Sequence, residues 1–374
     1  MNPRAIFCPN PDCPARGQIG AGNISVHSQQ EQRYACEVCG TTFGANKGTL
    51  FYRLKTDAQL VMIVLTLLAH GCPLQAIVAA YGFDERTIKS WWQRAGEHCQ
   101  KVHEHTVGQS QLDLQQAQAD ELKVKTQGGT VWMALAIMVS TRLWLGGVIS
   151  AHRDKALIQA LADQIRTIAL CRPLLLAVDG LPSYVKAFQQ AFRSKVPRWG
   201  QPGRCYLRPW SQIAIVQVVK GRTAGVKLTI QRRIVQGCSQ MIARLIEASQ
   251  GQGDINTAFI ERLNATLRQR LAPLARRTRA LARQPETLQT GMFVVGCFYN
   301  FCTYHQSLRI PLYLSECRRR WLQRTPAIAA GLTDHCWTVQ ELFLFRVPPP
   351  RWTPPKRRGR PSKETLRLVQ QWCH

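Results

Sequence analysis

A short uninterrupted apolar run, Leu174-Leu175-Leu176-Ala177-Val178, constrains the fold more than any other feature of the chain. A strand with water on one face alternates apolar and polar residues, whereas a strand that is apolar throughout is buried on both faces. Such a strand belongs to a sheet with helices packed on either side, so the chain reads as α/β. Around it, Thr130–Val139 and Arg142–Ser150 are strand-like runs parted by a short Ser-Thr turn, with Gly128-Gly129 marking the turn before them. A further strand begins near Ala119. Helices are expected over Asp154–Ala169, Ser183–Arg193 and Asn256–Leu271.

Three strands followed by helix, strand and helix is the order of a ribonuclease-H-like α/β core. Residues 194–255 read as an irregular insertion in that core, with one strand-like run at Ile213–Val219. Residues 106–118 are Gln-rich and polar and read as a linker. The resulting organisation is a cysteine-bearing segment at 1–46, a helical region at 47–105, the α/β domain at 106–310 and a C-terminal extension at 311–374. The extension turns Pro-rich near Val347 and then basic, a composition that predicts disorder.

The chain carries 49 Lys and Arg against 22 Asp and Glu, a formal net charge of +27 with a pI near 10.2. An excess of this size concerns partners rather than fold, and the partner it fits is nucleic acid, whose phosphates release counterions on binding. The longest apolar runs, near Leu60–Leu68, are too short to span a bilayer, and Met1–Asn10 has no secretory apolar segment. No membrane partner is expected. The 14 cysteines are therefore read as reduced thiols of a cytoplasmic, nucleoid-associated protein.

Four of those cysteines are paired. Cys8-x4-Cys13 and Cys36-x2-Cys39 form two short knuckles separated by 22 residues. Tetrahedral zinc takes four soft ligands, and two tight turns can each supply two. A segment of ~46 residues has too small an apolar core to fold without such a staple. The pattern predicts a zinc ribbon with Cys8, Cys13, Cys36 and Cys39 as ligands to a structural Zn²⁺. A second cluster, His98, Cys99, His103 and His105, lacks a matched pair and is not read as a metal site.

Leu74–Tyr81, Gly82 and Asp84–Arg94 have the form of helix, short turn and helix, which resembles a helix-turn-helix. Asp84 is a suitable N-cap. With Ile88 and Trp91 or Trp92 facing inward, Arg86, Lys89, Gln93 and Arg94 remain for DNA.

Against this basic background three acids stand out. Asp120 alternates with Leu122 and Val124 on one strand face, which directs the neighbouring Glu121 away from any site that Asp120 faces. Asp179 closes the apolar strand just before Gly180, at the carboxyl edge where α/β sheets bind ligands. Glu261 lies on a helix with an apolar stripe of Ile260, Leu263, Leu267 and Leu271, and shares a neighbouring face with Asn264 and Arg268. Carboxylates converging in a basic chain suit divalent cations held against phosphate.

With these residues in hand the chain resembles the DDE transposases of bacterial insertion sequences, especially the insertion-sequence-one type, with an N-terminal zinc ribbon and helix-turn-helix. The resemblance rests on Ala119-Asp120-Glu121, Ala177-Val178-Asp179-Gly180, Asn256 to Asn264 with Glu261 inside, and Arg268. Tyr299-Asn300-Phe301, His305 and Leu308-Arg309 resemble the aromatic, His-bearing segment that follows the last acid in the family. The resemblance spans roughly residues 1–310. Asp254 and Thr257 stand where the family often has Tyr and Arg before the glutamate. The resemblance implies a catalytic triad of Asp120, Asp179 and Glu261 holding Mg²⁺ or Mn²⁺. It implies Arg268 and Asn264 as DNA contacts. It further implies cutting and joining of transposon terminal repeats into target DNA by a homodimer or higher oligomer on double-stranded DNA. The alternatives are a DNA-binding regulator derived from an inactive transposase and a structure-specific nuclease on the same core. Beyond the family pattern, Arg357-Arg358-Gly359-Arg360-Pro361 contains the core of an AT-hook, placing Arg358, Gly359 and Arg360 in an A·T minor groove.

Overall fold

The computed structural model describes residues 2–200, 203–222, 228–251, 253–315, 318–354 and 359–373. The chain is mixed α/β and divides into two compact units, one of residues 1–58 with 343–374 and one of residues 59–342.

The first unit carries a small antiparallel sheet of β1 (Ile24–Ser28), β2 (Arg33–Cys36) and β3 (Thr42–Gly44) in that order. Its core is built from Ile6, Ile24, Tyr34 and Phe43 around the four cysteines, with Trp372 from the far end of the chain. The tail expected to be disordered is thus a structural part of this unit over its described residues. Arg16 donates to the carbonyls of Pro350 at 2.7 Å and Arg351 at 3.1 Å. Ser362 caps a helix over Lys363–Trp372 by accepting from Thr365 N–H. Leu368 and Trp372, one turn apart, turn onto the cysteine core, and the Trp372 carbonyl accepts from Gln18 at 2.7 Å. Low apolar content hid a stripe of period four, and proline removes donors while leaving the carbonyls used here. Trp372→Ala should cost about 3–5 kcal/mol of this unit's stability, read as a lowered Tm of its transition. Truncation after Pro361 should do the same.

In the second unit, α1 (Ala58–Ala69), α2 (Leu74–Tyr81) and α3 (Glu85–His103) precede the sheet. Gly82, at φ 68°, terminates α2, and the Asp84 carboxylate caps α3 by accepting from Arg86 N–H at 2.8 Å. The C-terminal half of α3 lies against α8 (Pro285–Cys297) so closely that a Cβ on Gly96 would sit 2.6 Å from Thr290 Cγ2.

The sheet follows as β4 (Gln116–Thr126), β5 (Gly129–Met138), β6 (Trp144–Ser150), β7 (Leu174–Asp179), β10 (Ile213–Arg222) and β11 (Leu228–Gln236). The intervening β8 (Arg193–Val196) and β9 (Tyr206–Pro209) form a separate hairpin. The six strands lie in the order β11-β10-β7-β4-β5-β6. β7 is parallel to both β4 and β10, and the remaining pairs are antiparallel. Residues 194–255 are accordingly not an irregular insertion: they supply two strands of the central sheet and α6 (Ser239–Gln250). α4 (Lys155–Ile168) packs on β5, β6 and α5 (Pro182–Ala191). α6 buries Ile242, Leu245 and Ile246 against Leu175, Ala177, Ala214 and Val216. α7 (Ala258–Arg270) crosses β4 and β5. Among the described residues no helix is long and apolar enough to cross a membrane.

Candidate metal centres

Among the described residues, two groups of side chains can hold a cation. In the first, one Sγ from each of Cys8, Cys13, Cys36 and Cys39 lies within 4.8 Å of the others. Cys8 faces Cys39 at 3.6 Å and Cys13 faces Cys36 at 3.8 Å. Gly40, at φ 67°, turns the second knuckle back so that its N–H reaches the Cys36 carbonyl at 2.8 Å. Burial pushes the Cys8 thiol up to about 12. Burial also works to raise Cys39, but hydrogen bonds with Thr41 outweigh it and bring Cys39 down to about 6. Four thiols on two turns, with Phe43 and Tyr34 against them, suit a soft tetrahedral ion and are compatible with a zinc ribbon.

The second group is built at the end of β7. In parallel register Ala119 pairs with Val178, so Asp120 and Asp179 are neighbours on adjacent strands and share a sheet face. α6 and α7 cover that face. Gln116 accepts from the Ser249 hydroxyl at 2.6 Å, and Gln118 Oε1 accepts from the N–H groups of Phe259 and Ile260 at 3.0 and 3.1 Å. Gln118 thereby caps α7 and fixes where its side chains fall. One turn on, Asn264 donates to Asp120 Oδ2 at 2.8 Å, while its own Oδ1 is buried without a hydrogen-bond partner among the described residues.

Glu121 departs from expectation. Strand alternation directs it away from Asp120, yet carboxylate oxygens of Asp120, Glu121 and Asp179 lie within 4.8 Å of one another. Glu121 does leave the sheet on the α4–α5 face, where Tyr184 donates to it at 2.7 Å. β7 ends at Asp179, however, so no further strand separates the two faces there, and the longer Glu side chain reaches the same opening. Arg153 closes the arrangement. Its Nε donates to Glu121 at 2.6 Å and its Nη2 bridges Glu121 and Asp179, the latter at 3.3 Å, with the guanidinium 5.0 Å above the Trp132 ring.

The electrostatics follow from crowding. Burial, then the Glu121 charge, pushes Asp120 up to about 6, with smaller contributions from Asp179 and Glu261. Burial and Glu121 also raise Asp179, against the pull of Arg153. Glu261, the third acid of the expected triad, stands apart from the group of three. It is held by Lys220 and by the Thr257 hydroxyl at 2.7 Å, which keep its pKa low in spite of burial. An all-oxygen donor set with a raised carboxylate pKa and an orphaned amide oxygen fits a hard divalent cation. Arg153→Ala should therefore tighten Mn²⁺ binding, by about fivefold to tenfold in titration calorimetry, because one competing cation is removed. An unchanged affinity would mean that Arg153 and the ion do not compete.

The remaining sequence-predicted residues are dispersed. Arg268 is half-buried on α7. Ile88 is buried on α3, and of the two tryptophans Trp91 is buried and Trp92 half-buried, while Arg86, Lys89 and Gln93 are exposed and Arg94 is half-buried. Lys89 pairs with Glu85, and Gln93 donates to Glu97 at 3.3 Å. Lys89, Gln93 and Glu97 also line a groove of about 790 Å³ whose other wall includes Arg283 and Thr287. His98 binds the Leu342 carbonyl at 2.9 Å, and buried His103 packs on Trp144 and Phe293. Gly359 and Arg360 are exposed, and Arg358 lies outside the described residues.

Sequence reasoning missed Arg153, Tyr184 and Lys220. Lys220 had a readable signal. It follows the apolar run Ile213–Val219 much as Asp179 follows Leu174–Val178, and parallel strands bring such ends together. Arg153 and Tyr184 had none beyond their nearness to the sheet. Compared with known proteins, the chain matches no family model, and no curated protein is detectably similar to it.

Proposed function

We propose that the chain is a DDE-type DNA transposase that cuts and joins the ends of an insertion sequence in double-stranded DNA. The observation that carries this reading is the meeting of Asp120 and Asp179 at the carboxyl end of β7, where Asn264 of α7 bonds Asp120 and Glu261, outside the group of three, still acts on its charge. The order β6-β5-β4-β7-β10 within the sheet supports a ribonuclease-H-like core. The four-cysteine cluster supports a zinc ribbon, and α2, Gly82 and α3 support a helix-turn-helix. The net charge of +27 supports a phosphate-rich partner.

In this reading Asp120, Asp179 and Glu261 hold Mg²⁺ or Mn²⁺. When bound, two such ions supply Lewis acidity to the scissile phosphate and lower the pKa of the attacking water or 3′-hydroxyl. The chain's own groups prepare the site. Asn264 fixes one Asp120 oxygen, Gln118 sets the position of α7, and Arg153 with Tyr184 holds Glu121 in place. Glu261, paired with Lys220, would join the set only on giving up that pairing. The protein works in the cytoplasm on the nucleoid, as a homodimer or higher oligomer on the paired transposon ends and target DNA. The test uses purified chain, Mg²⁺ and labelled end DNA. Nicking followed by strand joining is expected. Binding without nicking would replace this reading with a regulator, and nicking without joining would replace it with a nuclease.

A further inference from the structure

A second cluster of charge lies on the opposite flank of α7 from Lys220. Arg142 lies in the connection between β5 and β6 and sits at φ 61°, in the left-handed region that non-glycine residues rarely occupy. The turn is pinned from below. Asn300, fully buried, accepts from Trp144 N–H and donates to the Trp144 carbonyl, both at 2.9 Å. The guanidinium of Arg142 lies 3.9 Å above the Phe259 ring at the start of α7. Tyr299, next to Asn300, meets His305 edge to face at 6.0 Å.

Arg142, Arg262 and Arg270 all act on the buried Tyr299, and Arg142 and Arg262 act on His305. None of the three arginines has a carboxylate partner among the described residues, and Nη1 of both Arg142 and Arg270 is buried without a hydrogen-bond partner there. The neighbours supply no negative charge either. Burial pushes Tyr299 up to about 12, so it stays a neutral phenol, and burial with Arg142 and Arg262 keeps His305 neutral. Arg262 is exposed, but Arg142 and Arg270 are partly buried guanidiniums without a counterion, which is costly unless an anion arrives from outside.

We propose that Arg142, Arg262 and Arg270, with His305 and Tyr299, form a seat for a backbone phosphate of duplex DNA on the flank of α7. The assignment rests on the reading of the chain as a DNA-binding protein. The turn strain then has a purpose, since it aims Arg142 over Phe259 towards a strand running past α7. Arg262 follows Glu261 directly in the helix, so the phosphate held here lies close along the backbone to the one presented to the acids.

The test measures binding of a fluorescein-labelled 40-base-pair duplex by the full chain, across a salt series and without divalent cations. Arg142→Gln and Arg262→Gln should each weaken binding by about threefold to tenfold and lower the salt slope by ~0.9, one phosphate contact each. Arg142→Lys should recover most of the loss. Arg172→Gln, which removes an equal charge from an exposed pair with Asp113, should have little effect. Thermal melts of each variant separate a lost contact from a lost fold. If Arg142→Gln and Arg262→Gln bind no worse than Arg172→Gln, the seat does not exist. Competition by millimolar inorganic phosphate beyond that of chloride at equal ionic strength would also overturn it, in favour of a free-anion site. A chain that binds through Arg142 but never cuts loses the transposase reading and keeps this one. A chain that cuts while Arg142→Gln binds normally does the reverse.

Discussion

Asp179→Asn is expected to abolish cleavage of end DNA while leaving the chain folded and bound to it. The substitution keeps shape and removes the charge that a divalent cation at the end of β7 requires. Loss of electrostatic stabilisation of this kind lowers rates by roughly 10³-fold or more. DNA binding should hold or strengthen slightly, because a carboxylate facing phosphate has gone. Asp120→Asn should behave alike and adds a stability readout. Crowding raises Asp120 to about 6 in the folded chain, so its charge at neutral pH opposes folding. The penalty is absent at low pH, where the group is protonated in both states, and sets in as pH rises through its unfolded value towards 6. Asp120→Asn should therefore raise Tm at pH 7 and lose that advantage near pH 3. Glu121→Gln tests the carboxylate that strand alternation directs away from the site. It weakens the bonds to Arg153 and Tyr184 and should reduce cleavage, by less than either aspartate change. Gel assays of nicking with Mg²⁺ for all three, beside melts at both pH values, decide the matter. Undiminished nicking in Asp120→Asn and Asp179→Asn would sink the mechanism.

Stripping metal from the four-cysteine site is expected to unfold residues 1–58 and 343–374 together while residues 59–342 stay folded. The apolar core there is a small group around the thiols themselves, and apparent zinc-binding energies of ~10–16 kcal/mol are then most of the folding energy. Elemental analysis should give about one zinc per chain, and Cys36→Ser should lose it. Calorimetry should show two transitions in the loaded chain and one after chelation. A chain without zinc that still shows both transitions would refute the assignment.

The features that could be read in advance share one property: the pattern reported the packing directly. Leu174–Val178 is apolar because both faces of β7 are covered, and the paired cysteines carry their geometry in their spacing. The failures have the opposite origin. Gln116 and Gln118 look like linker residues, yet both are buried and used as hydrogen-bonding plugs, so β4 begins three residues before the alternation becomes visible. Their polarity hid burial on both faces of the strand, and with it the route by which Glu121 reaches the site. The 194–255 segment was obscured by β11, whose Gln231-Arg232-Arg233 sequence reads as surface although its backbone completes the sheet. Arg153 and Tyr184 come to Glu121 from elements 32 and 63 residues away, a nearness that only the chain path creates.

The docking of Lys363–Trp372 on the cysteine core has a consequence for the order in which the protein comes into being. The unit built on residues 1–58 is closed by a helix that lies beyond residue 342 in the chain, so everything from 59 to 342 leaves the ribosome before that unit can seal. The sheet with its acids, whose strands are all in hand by residue 236, can therefore assemble while the cysteine unit is still open at one wall. A chain whose synthesis stops short of residue 363 would carry the carboxylates on a finished sheet beside a cysteine unit that lacks one wall of its core.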